Sequence, residues 1–314
     1  MSIAQRLADS ALINPGSDRV RSVAGLARRS ARSRAGRFLA EGPQCVREAL
    51  RAHLGEFDAL VPAPRDGVID ALYITERALQ RHPDIDQLVK RVLQAEGSPR
   101  VFVRMVSDEV LAAMSDAEHP QGVLAVCRIP ELTWAQVAER RPRLVSVMCR
   151  VQDPGNAGTV LRAADAAGAD AVVLTAGSVD LHNPKVVRST AGSLFHLPVL
   201  TGLDPAELVG RPVSDAAGGE LQVLAADGYG ALDLDELQDA SAAGREAAVE
   251  LSRPTAWLFG NEAQGLSEQE KALASHRVAV PLHGAAESLN VGTAATLCLY
   301  ASARAQRRTA EGAA

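Results

Sequence analysis

The stretch DPGNAGTVLRAADAAGADAVVL, residues 153–174, predicts a turn, a helix and a strand in succession. The apolar run RLVSVMCRVQ before it is typical of another strand, so the two strands flank one helix that ends near Gly168. Asn156 lies at the start of this helix and Arg162 follows six residues later. The glycines fit neither G-x-G-x-x-G nor the P-loop spacing, so neither of those phosphate-binding patterns is present.

The same alternation of strands and helices extends in both directions along the chain. It predicts one compact three-layer α/β domain over residues 19–130, after a loose lead-in at 1–18. A polar, proline-bounded linker is expected at 131–143. A second α/β alternation fills 144–308, and 309–314 form a tail.

Three local expectations accompany this division. FDALVPA (57–63) is predicted as a strand. Ser107 is predicted as the N-cap of the helix in SDEVLAAMSD, which begins at that serine. Residues 239–253 are predicted to form a loop or a poorly ordered insertion.

The composition limits the class of protein. The chain has 314 residues, of which 47% are hydrophobic and 23% charged, as in ordinary globular proteins. No apolar run approaches the roughly 20 residues that span a bilayer, and the N-terminus lacks the apolar region of a signal peptide. The four cysteines are scattered without a C-x-x-C pair, which indicates reduced, mostly buried thiols in a cytoplasmic protein and no metal site.

The charge is unevenly distributed. The net charge is −5, yet residues 19–37 carry arginines and no acid, whereas 204–251 are rich in acids. An uncompensated basic stripe favours phosphate contact, and a solvated helix face is the alternative. The predicted RNA-binding residues are Arg28, Arg29, Arg32 and Arg34.

Two further stretches combine glycines with polar side chains at predicted strand ends. In AWLFGNEAQGLSEQE (256–270) Glu262 lies in a glycine-flanked loop, where open α/β sheets bind ligands. Ser267 is expected to cap the next helix, which leaves Asn261 and Glu262 without a structural explanation. In VAVPLHGAAESLNVGTAATLCLYASARAQ (278–306) a small-residue loop leads through Ser288 and Asn290 into a long helix.

The three stretches together resemble the signature motifs of the SpoU (TrmH) family of RNA ribose 2′-O-methyltransferases, in the SPOUT superfamily. The matching segments are NAGTVLR (156–162), GNEAQGL (260–266) and VPLHGAAESLNVGTA (280–294). The resemblance covers roughly residues 144–308. Upstream, RFLAEGPQCVREAL (37–50) is similar to the start of the L30e-like domain that precedes the catalytic domain in many members.

This resemblance implies an N-terminal L30e-like α/β domain followed by a SPOUT-type α/β domain with a C-terminal trefoil knot. It implies S-adenosyl-L-methionine as cofactor, held largely by backbone groups. The cofactor contacts carried over from the motifs are Leu258, Gly260, Val280, Pro281, Leu289 and Asn290. The catalytic set carried over is Arg162, Asn156, Glu262, Ser288 and Asn290.

The implied reaction is methyl transfer to a ribose 2′-hydroxyl. Arg162 matches the activator proposed for the family, but a guanidinium rarely gives up its proton. Orienting the phosphate and stabilising the developing oxyanion is the alternative role, with Glu262 expected to orient Arg162. If Arg162 were only structural, it would pair with Asp153 or Asp165.

The expected substrate is structured RNA, first of all ribosomal RNA, with transfer RNA as an alternative. The family acts as homodimers packed through the knotted region. The small face of Gly292, Ala295 and Leu299 is compatible with such packing. Two rival hypotheses are a non-catalytic RNA-binding assembly factor that retains the fold, and a nucleotide-binding enzyme of another superfamily.

Overall fold

A computed structural model describes residue 7 and residues 11–57, 67–95, 99–209 and 220–312. Its strands in these residues are β1 (Arg37–Glu41), β2 (Ile69–Ile74), β3 (Phe102–Met105), β4 (Val123–Arg128), β5 (Leu144–Met148), β6 (Ala171–Thr175), β7 (Val199–Leu203), β8 (Gln222–Ala226), β9 (Leu232–Asp233), β10 (Thr255–Phe259) and β11 (His276–Ala279). Its α-helices there are α1 (Asp18–Gly25), α2 (Arg29–Ala35), α3 (Gly42–His53), α4 (Glu76–Arg81), α5 (Pro83–Gln94), α6 (Asp108–Met114), α7 (Trp134–Ala138), α8 (Pro154–Ala167), α9 (Pro184–Ser189), α10 (Leu234–Ala242), α11 (Glu268–Leu273) and α12 (Val291–Gly312). The predicted α/β class is confirmed.

The chain divides into two compact units. One unit comprises Met1–Glu131 together with Asp180–His196, and the other comprises Leu132–Val179 together with Leu197–Ala314. The predicted domain limits stay a prediction. They differ from the compact units in one respect, because residues 180–196 belong to the first unit although both neighbouring strands, β6 and β7, belong to the second.

The first unit is built on a four-stranded sheet in the order β1-β4-β2-β3. Strand β4 is antiparallel to β1 and β2, and β3 is parallel to β2. Helices α1 and α6 contribute apolar side chains to the core on one face of this sheet, and α3 packs against the sheet as well. Serine and threonine caps begin α1, α4 and α6, and the predicted N-cap Ser107 accepts from the Val110 amide.

The second unit is built on a seven-stranded sheet in the order β7-β6-β5-β10-β8-β11-β9, and every pair in it is parallel. Strands β5, β6 and β10 are buried along their whole length, as expected for the centre of a parallel sheet covered on both faces. Chain order reverses between β5 and β10, because the chain runs outward from β5 to β7 and later returns at β10. Open α/β sheets bind ligands at such a switch point, outside the carboxyl ends of the strands.

Several local predictions differ from the structure. The expected linker contains α7, which a Thr133–Gln136 capping box begins and whose Trp134 is buried in the core of the second unit. Part of 239–253 is helical, since α10 extends to Ala242, and the buried Val249 and Leu251 anchor the rest. These positions were hard to read because short helices offer little periodicity.

The ends of the chain also differ from expectation where they are described. In the lead-in, the Leu12 amide donates to the Met105 carbonyl at 2.9 Å and extends the edge of β3. Helix α12 continues to Gly312, so the predicted tail begins inside a helix. Most of the predicted strand 57–63 lies outside the described residues.

Candidate active site

The loops that follow β5 and β10 meet at the carboxyl edge of the parallel sheet. The two strands are neighbours in register, and the Cys149 amide donates to the Phe259 carbonyl at 2.7 Å just beyond them. Helix α8 begins after the first loop, with Asp153 as its N-cap and Pro154 in its first turn. The switch point therefore brings the 153–162 and 260–266 segments together.

The loop after β10 is a tight turn closed on itself. Asn261 and Gly265 exchange both backbone hydrogen bonds, at 3.1 and 2.8 Å, and Gly265 has a left-handed φ of 64°. At Gly260 a Cβ atom would lie 2.3 Å from the Gly265 carbonyl carbon, so only glycine fits there. The Asn261 side chain donates to the Arg150 carbonyl at 2.8 Å, which ties this turn to the loop after β5.

An ion pair makes a second tie between the two loops. Arg150 donates to both carboxylate oxygens of Glu270, at 3.0 and 2.7 Å, and also to the Gly265 carbonyl at 3.1 Å. Arg150 itself has a left-handed φ of 58°, which is uncommon for a residue with a side chain. The contacts of its guanidinium offset the cost of that backbone conformation.

Glu262 lies at the tip of the turn and accepts three hydrogen bonds. Its donors are the Gln152 amide at 3.3 Å, the Asp153 amide at 3.2 Å and the Asn156 side chain at 3.0 Å. Partial burial works to raise the pKa of Glu262, but the bonds from Asn156 and from backbone amides outweigh it and hold the pKa below its usual value. Glu262 is therefore an ionised acceptor that fixes the start of α8.

A directed chain of hydrogen bonds runs from Glu262 to the start of α12. A carboxylate only accepts, so Asn156 turns its amino group to Glu262 and its oxygen the other way. The Asn290 amino group donates to that oxygen at 2.8 Å, and the Asn290 oxygen accepts from the Gly292 amide at 2.8 Å. Residues from all three sequence stretches are joined in this chain.

Arg162 lies on α8, where its side chain is exposed. Within the described residues the structure gives its guanidinium no hydrogen bond and no ion pair. Pairing with Asp153 or Asp165, the expected structural alternative, is not seen there, and Asp153 instead accepts from the Asn156 amide at 2.8 Å. The expectation that Glu262 orients Arg162 is also not met, because Glu262 faces Asn156 and the backbone amides.

The predicted cofactor residues fall into two groups. Gly260, Val280, Pro281 and Leu289 are partly exposed, and Asn290 is exposed. Leu258 is a correction, because its side chain is 0% exposed in the core and its strand is paired on both sides. A central strand buried on both faces leaves no route for a ligand to reach it.

The loop that leads into α12 fits a ligand bound by main-chain groups. Outside the sheet ladders, no backbone hydrogen bond in the described part of the chain engages residues 281–289, so the main-chain groups of this loop have no backbone partner there. Gly260 keeps the neighbouring strand end free of a side chain. These features match the backbone-mediated binding that the motifs imply for S-adenosylmethionine.

Ser288 is exposed, and the structure does not bring it into the Glu262–Asn156–Asn290 chain. The small face of α12 is used within this chain: Ala295 and Leu299 are 0% exposed, and a Cβ at Gly292 would lie 2.7 Å from Thr159 of α8. That face is therefore not an intermolecular surface.

Arg32 is a second correction. Its side chain is 4% exposed and donates to Asp180 at 2.5 Å and to the carbonyls of Leu26 and Ala27, so it cannot contact RNA. Burial works to raise the pKa of Asp180, but Arg32 lowers it below its usual value. The other predicted RNA contacts, Arg28, Arg29 and Arg34, are exposed.

All four cysteines are buried and unpaired. Burial raises the pKa of Cys45 to about 11 and that of Cys127 further, so these thiols stay protonated. Among the described residues, no group of His, Cys, Asp or Glu could hold a metal ion. None of the helices in that same part of the chain combines the length and apolar character that crossing a bilayer requires.

Three supports of the site were not predicted from the sequence: Arg150, Glu270 and the N-cap Asp153. Arg150 and Glu270 are far apart in the sequence, and nothing in the spacing links them. Asp153 could have been found, because Asp followed by Pro is a common start of a helix.

The sequence profile of the SpoU rRNA Methylase family matches residues 143–300, half of the chain and the whole of this site. A second profile, the MRM3-like substrate binding domain, matches residues 17–125. The chain belongs to the SpoU rRNA Methylase family.

Two characterised relatives are bacterial. The 23S rRNA (guanosine(2553)-2′-O)-methyltransferase RlmP of Bacillus subtilis is 36% identical over 196 residues, 62% of this chain and 70% of the relative. The 23S rRNA (uridine(2479)-2′-O)-methyltransferase of Streptomyces viridochromogenes is 32% identical over 203 residues, 64% of this chain and 67% of the relative. Among solved structures, the SpoU methyltransferase AviRb from Streptomyces viridochromogenes, in complex with the cofactor AdoMet, is 27% identical with a TM-score of 0.71, over 93% of this chain and 99% of that one.

Proposed function

We propose that this protein transfers a methyl group from S-adenosylmethionine to a ribose 2′-hydroxyl of ribosomal RNA. The observation that carries the proposal is the hydrogen-bond chain Glu262–Asn156–Asn290, which joins the three family motifs at the carboxyl edge of a parallel sheet. Related proteins that match over most of their length are named as methyltransferases of 23S rRNA, which supports ribosomal RNA as the substrate class.

The cofactor supplies a methyl group on a sulfonium, which is already a strong electrophile. The task left to the protein is to place the 2′-oxygen in line and to stabilise the charge that develops there. Main-chain groups of Gly260, Val280 and Leu289, with Pro281 beside them, would hold the cofactor. Asn290 follows the cofactor loop directly, and its side chain donates to Asn156 and accepts from the Gly292 amide.

Arg162 is the proposed catalytic cation. Its guanidinium is exposed and has no hydrogen bond or ion pair within the described residues. An RNA phosphate or a ribose oxygen can therefore accept hydrogen bonds from it without displacing a protein partner. A permanent cation lowers the energy of an alkoxide-like oxygen. Asn156 and Glu262 act as positioning residues, because they fix the start of the helix that carries Arg162, and Ser288 stays a proposed polar contact at the loop.

The remaining structural expectations are also proposals. We infer a trefoil knot in the C-terminal part of the second unit, an L30e-like fold for the first, and the domain limits 19–130 and 144–308. A cytoplasmic homodimer is expected, and the exposed Leu297 and Tyr300 on the outer face of α12 support a surface for a second copy.

The test is to incubate the purified protein with methyl-labelled S-adenosylmethionine and an unmodified 23S rRNA transcript, with a 16S transcript and bulk transfer RNA as comparisons. Ribose methylation mapped to one position of the 23S transcript is the expected result. Methylation of transfer RNA alone would correct the substrate. Cofactor binding without methylation of any RNA would contradict the proposed enzyme.

A further inference from the structure

The first unit has a surface cavity of about 480 Å³ that the sequence motifs did not indicate. It lies between α1 and the sheet formed by β1, β2 and β4. Its walls are partly apolar, from Val23 and Val126, and its polar side carries Arg19, Ser22 and Tyr73. This volume falls in the range of about 300–1,000 Å³ that is usual for small-molecule sites.

Two arginines at this face have no acidic partner. The guanidinium carbons of Arg19 and Arg104 each lie 4.1 Å from the ring centroid of Phe102. No ion pair joins either of them to a carboxylate among the described residues. Arg37, which lines the same cavity, shares Asp70 with Arg128, at 2.8 and 2.7 Å. Asp18 and Asp70 also line the cavity, so the four arginines leave this face with a net positive charge against two acids.

Each guanidinium gains a cation–π contact with the Phe102 ring, but two cations beside one ring also repel each other. An RNA phosphate beside them would remove that repulsion and form charge-assisted hydrogen bonds. The two guanidiniums are therefore better explained by an anionic partner than by the stability of the unit.

One buried tyrosine, Tyr73, also lines the cavity. The ring of Tyr73 is 0% exposed, and its hydroxyl accepts from Arg19 at 3.3 Å. Tyr73 therefore holds the Arg19 guanidinium at the wall of the cavity.

We propose that this cavity binds one unpaired nucleobase of the RNA substrate, with Arg19 and Arg104 on the adjacent phosphates. Unpaired bases present both a flat apolar face and a polar edge, and proteins that read RNA stack them on aromatic or guanidinium planes. The inference rests on the proposed function, since it names a recognition site for the same RNA.

The experiment measures the affinity of the full chain for an unmodified 23S rRNA transcript. Arg19→Ala removes the cation, and Ser22→Trp fills the cavity without changing the charge. The matched controls are Arg81→Ala, at an exposed arginine of α4 outside the cavity, and Ser30→Trp, at an exposed position of α2. We expect Arg19→Ala and Ser22→Trp each to raise Kd by about tenfold, as loss of one stacked base does. The controls stay within about twofold of the wild type.

A second readout locates the base directly. With a 4-thiouridine-substituted transcript, cross-links to residues 18–26 are expected in the wild type and are lost in Ser22→Trp. Thermal unfolding confirms that each variant is folded.

An unchanged Kd for both variants, with cross-links only elsewhere, would overturn the inference. Loss of affinity in Arg19→Ala alone would show a phosphate contact without a base site, which also overturns it. In either case methylation by the wild type leaves the proposed function standing. Absence of methylation in the wild type would instead remove the proposed function.

Discussion

At the scale of single residues, Glu262 has a different task from the one its position in the motif indicated. It accepts from two backbone amides and from Asn156, so it holds the entry of α8 in place instead of contacting Arg162. Because its donors bind the ionised carboxylate more strongly than the neutral acid, its contribution depends on pH.

Replacing Glu262 by Gln tests whether the stabilisation by this side chain depends on pH. The folded-state pKa lies below the usual value of about 4.5, so the stabilisation is complete above that pH and is lost as pH falls through the folded pKa. We expect Glu262→Gln to lower Tm at pH 7 and the difference from the wild type to vanish towards pH 3. Glu268→Gln, at an 89% exposed side chain, is the control. A Tm difference independent of pH would contradict the assignment.

The residues of the site could be predicted from the sequence, but their partners could not. Motif spacing placed Asn156, Glu262 and Asn290 at element ends, and a sheet edge brings such ends together. Which side chain pairs with which depends on loop geometry at the ångström level, and so Glu262 was expected to face Arg162. The burial of Arg32 was equally hidden, because its partner Asp180 lies 148 residues away.

At the scale of elements, the tight turn after β10 determines the shape of the site. Its closure depends on Gly260, where there is no room for a Cβ, and on the Asn261–Gly265 backbone pair. The order of the strands was not predictable from the pattern, since periodicity identifies a buried strand but not its neighbours.

Gly260→Ala is therefore expected to displace the turn. Overpacking of this kind costs about 1–3 kcal/mol, so Tm should fall and the affinity for S-adenosylhomocysteine should drop by at least about tenfold. Gly228→Ala is the matched control, because a Cβ there meets nothing within 4 Å. Calorimetry that finds equal affinity in both variants would exclude a role for the turn in cofactor binding.

Helix α12 uses its two faces differently. Its small face packs within the chain, and its outer face exposes 43% of Leu297 and 46% of Tyr300. The sequence predicted the helix and found its small face compatible with packing between copies, but small residues are equally suited to contacts within a chain.

Leu297→Arg tests the outer face. If a second copy covers it, the charge is buried without a partner and the dimer dissociates to monomers in light scattering coupled to gel filtration. Gln80→Arg, at an exposed polar position of α4, shows whether an added charge alone has this effect. A dimer that persists in Leu297→Arg would place the interface elsewhere.

At the scale of the whole molecule, a net charge of −5 coexists with an arginine-rich N-terminal segment. The structure divides that segment: Arg32 is internal, whereas Arg28 and Arg34 are exposed. Only the exposed arginines of this segment can contribute to RNA affinity.

The double variant Arg28→Glu/Arg34→Glu is expected to weaken binding of a 23S rRNA transcript and to reduce the slope of log Kd against log salt concentration by about one to two. Arg81→Glu, an exposed arginine outside the segment, should leave the slope unchanged. A slope equal to that of the wild type in the double variant would assign these arginines to solvated surface.

The most direct test of the proposed chemistry is single-turnover methyl transfer to 23S rRNA by Arg162→Ala, compared with Arg162→Lys. The rate should fall about 100- to 1,000-fold in Arg162→Ala and less in Arg162→Lys, which keeps the positive charge. The Kd values for the RNA and for S-adenosylhomocysteine should stay within about twofold of the wild type. Methylation by Arg162→Ala at the wild-type rate would contradict the account.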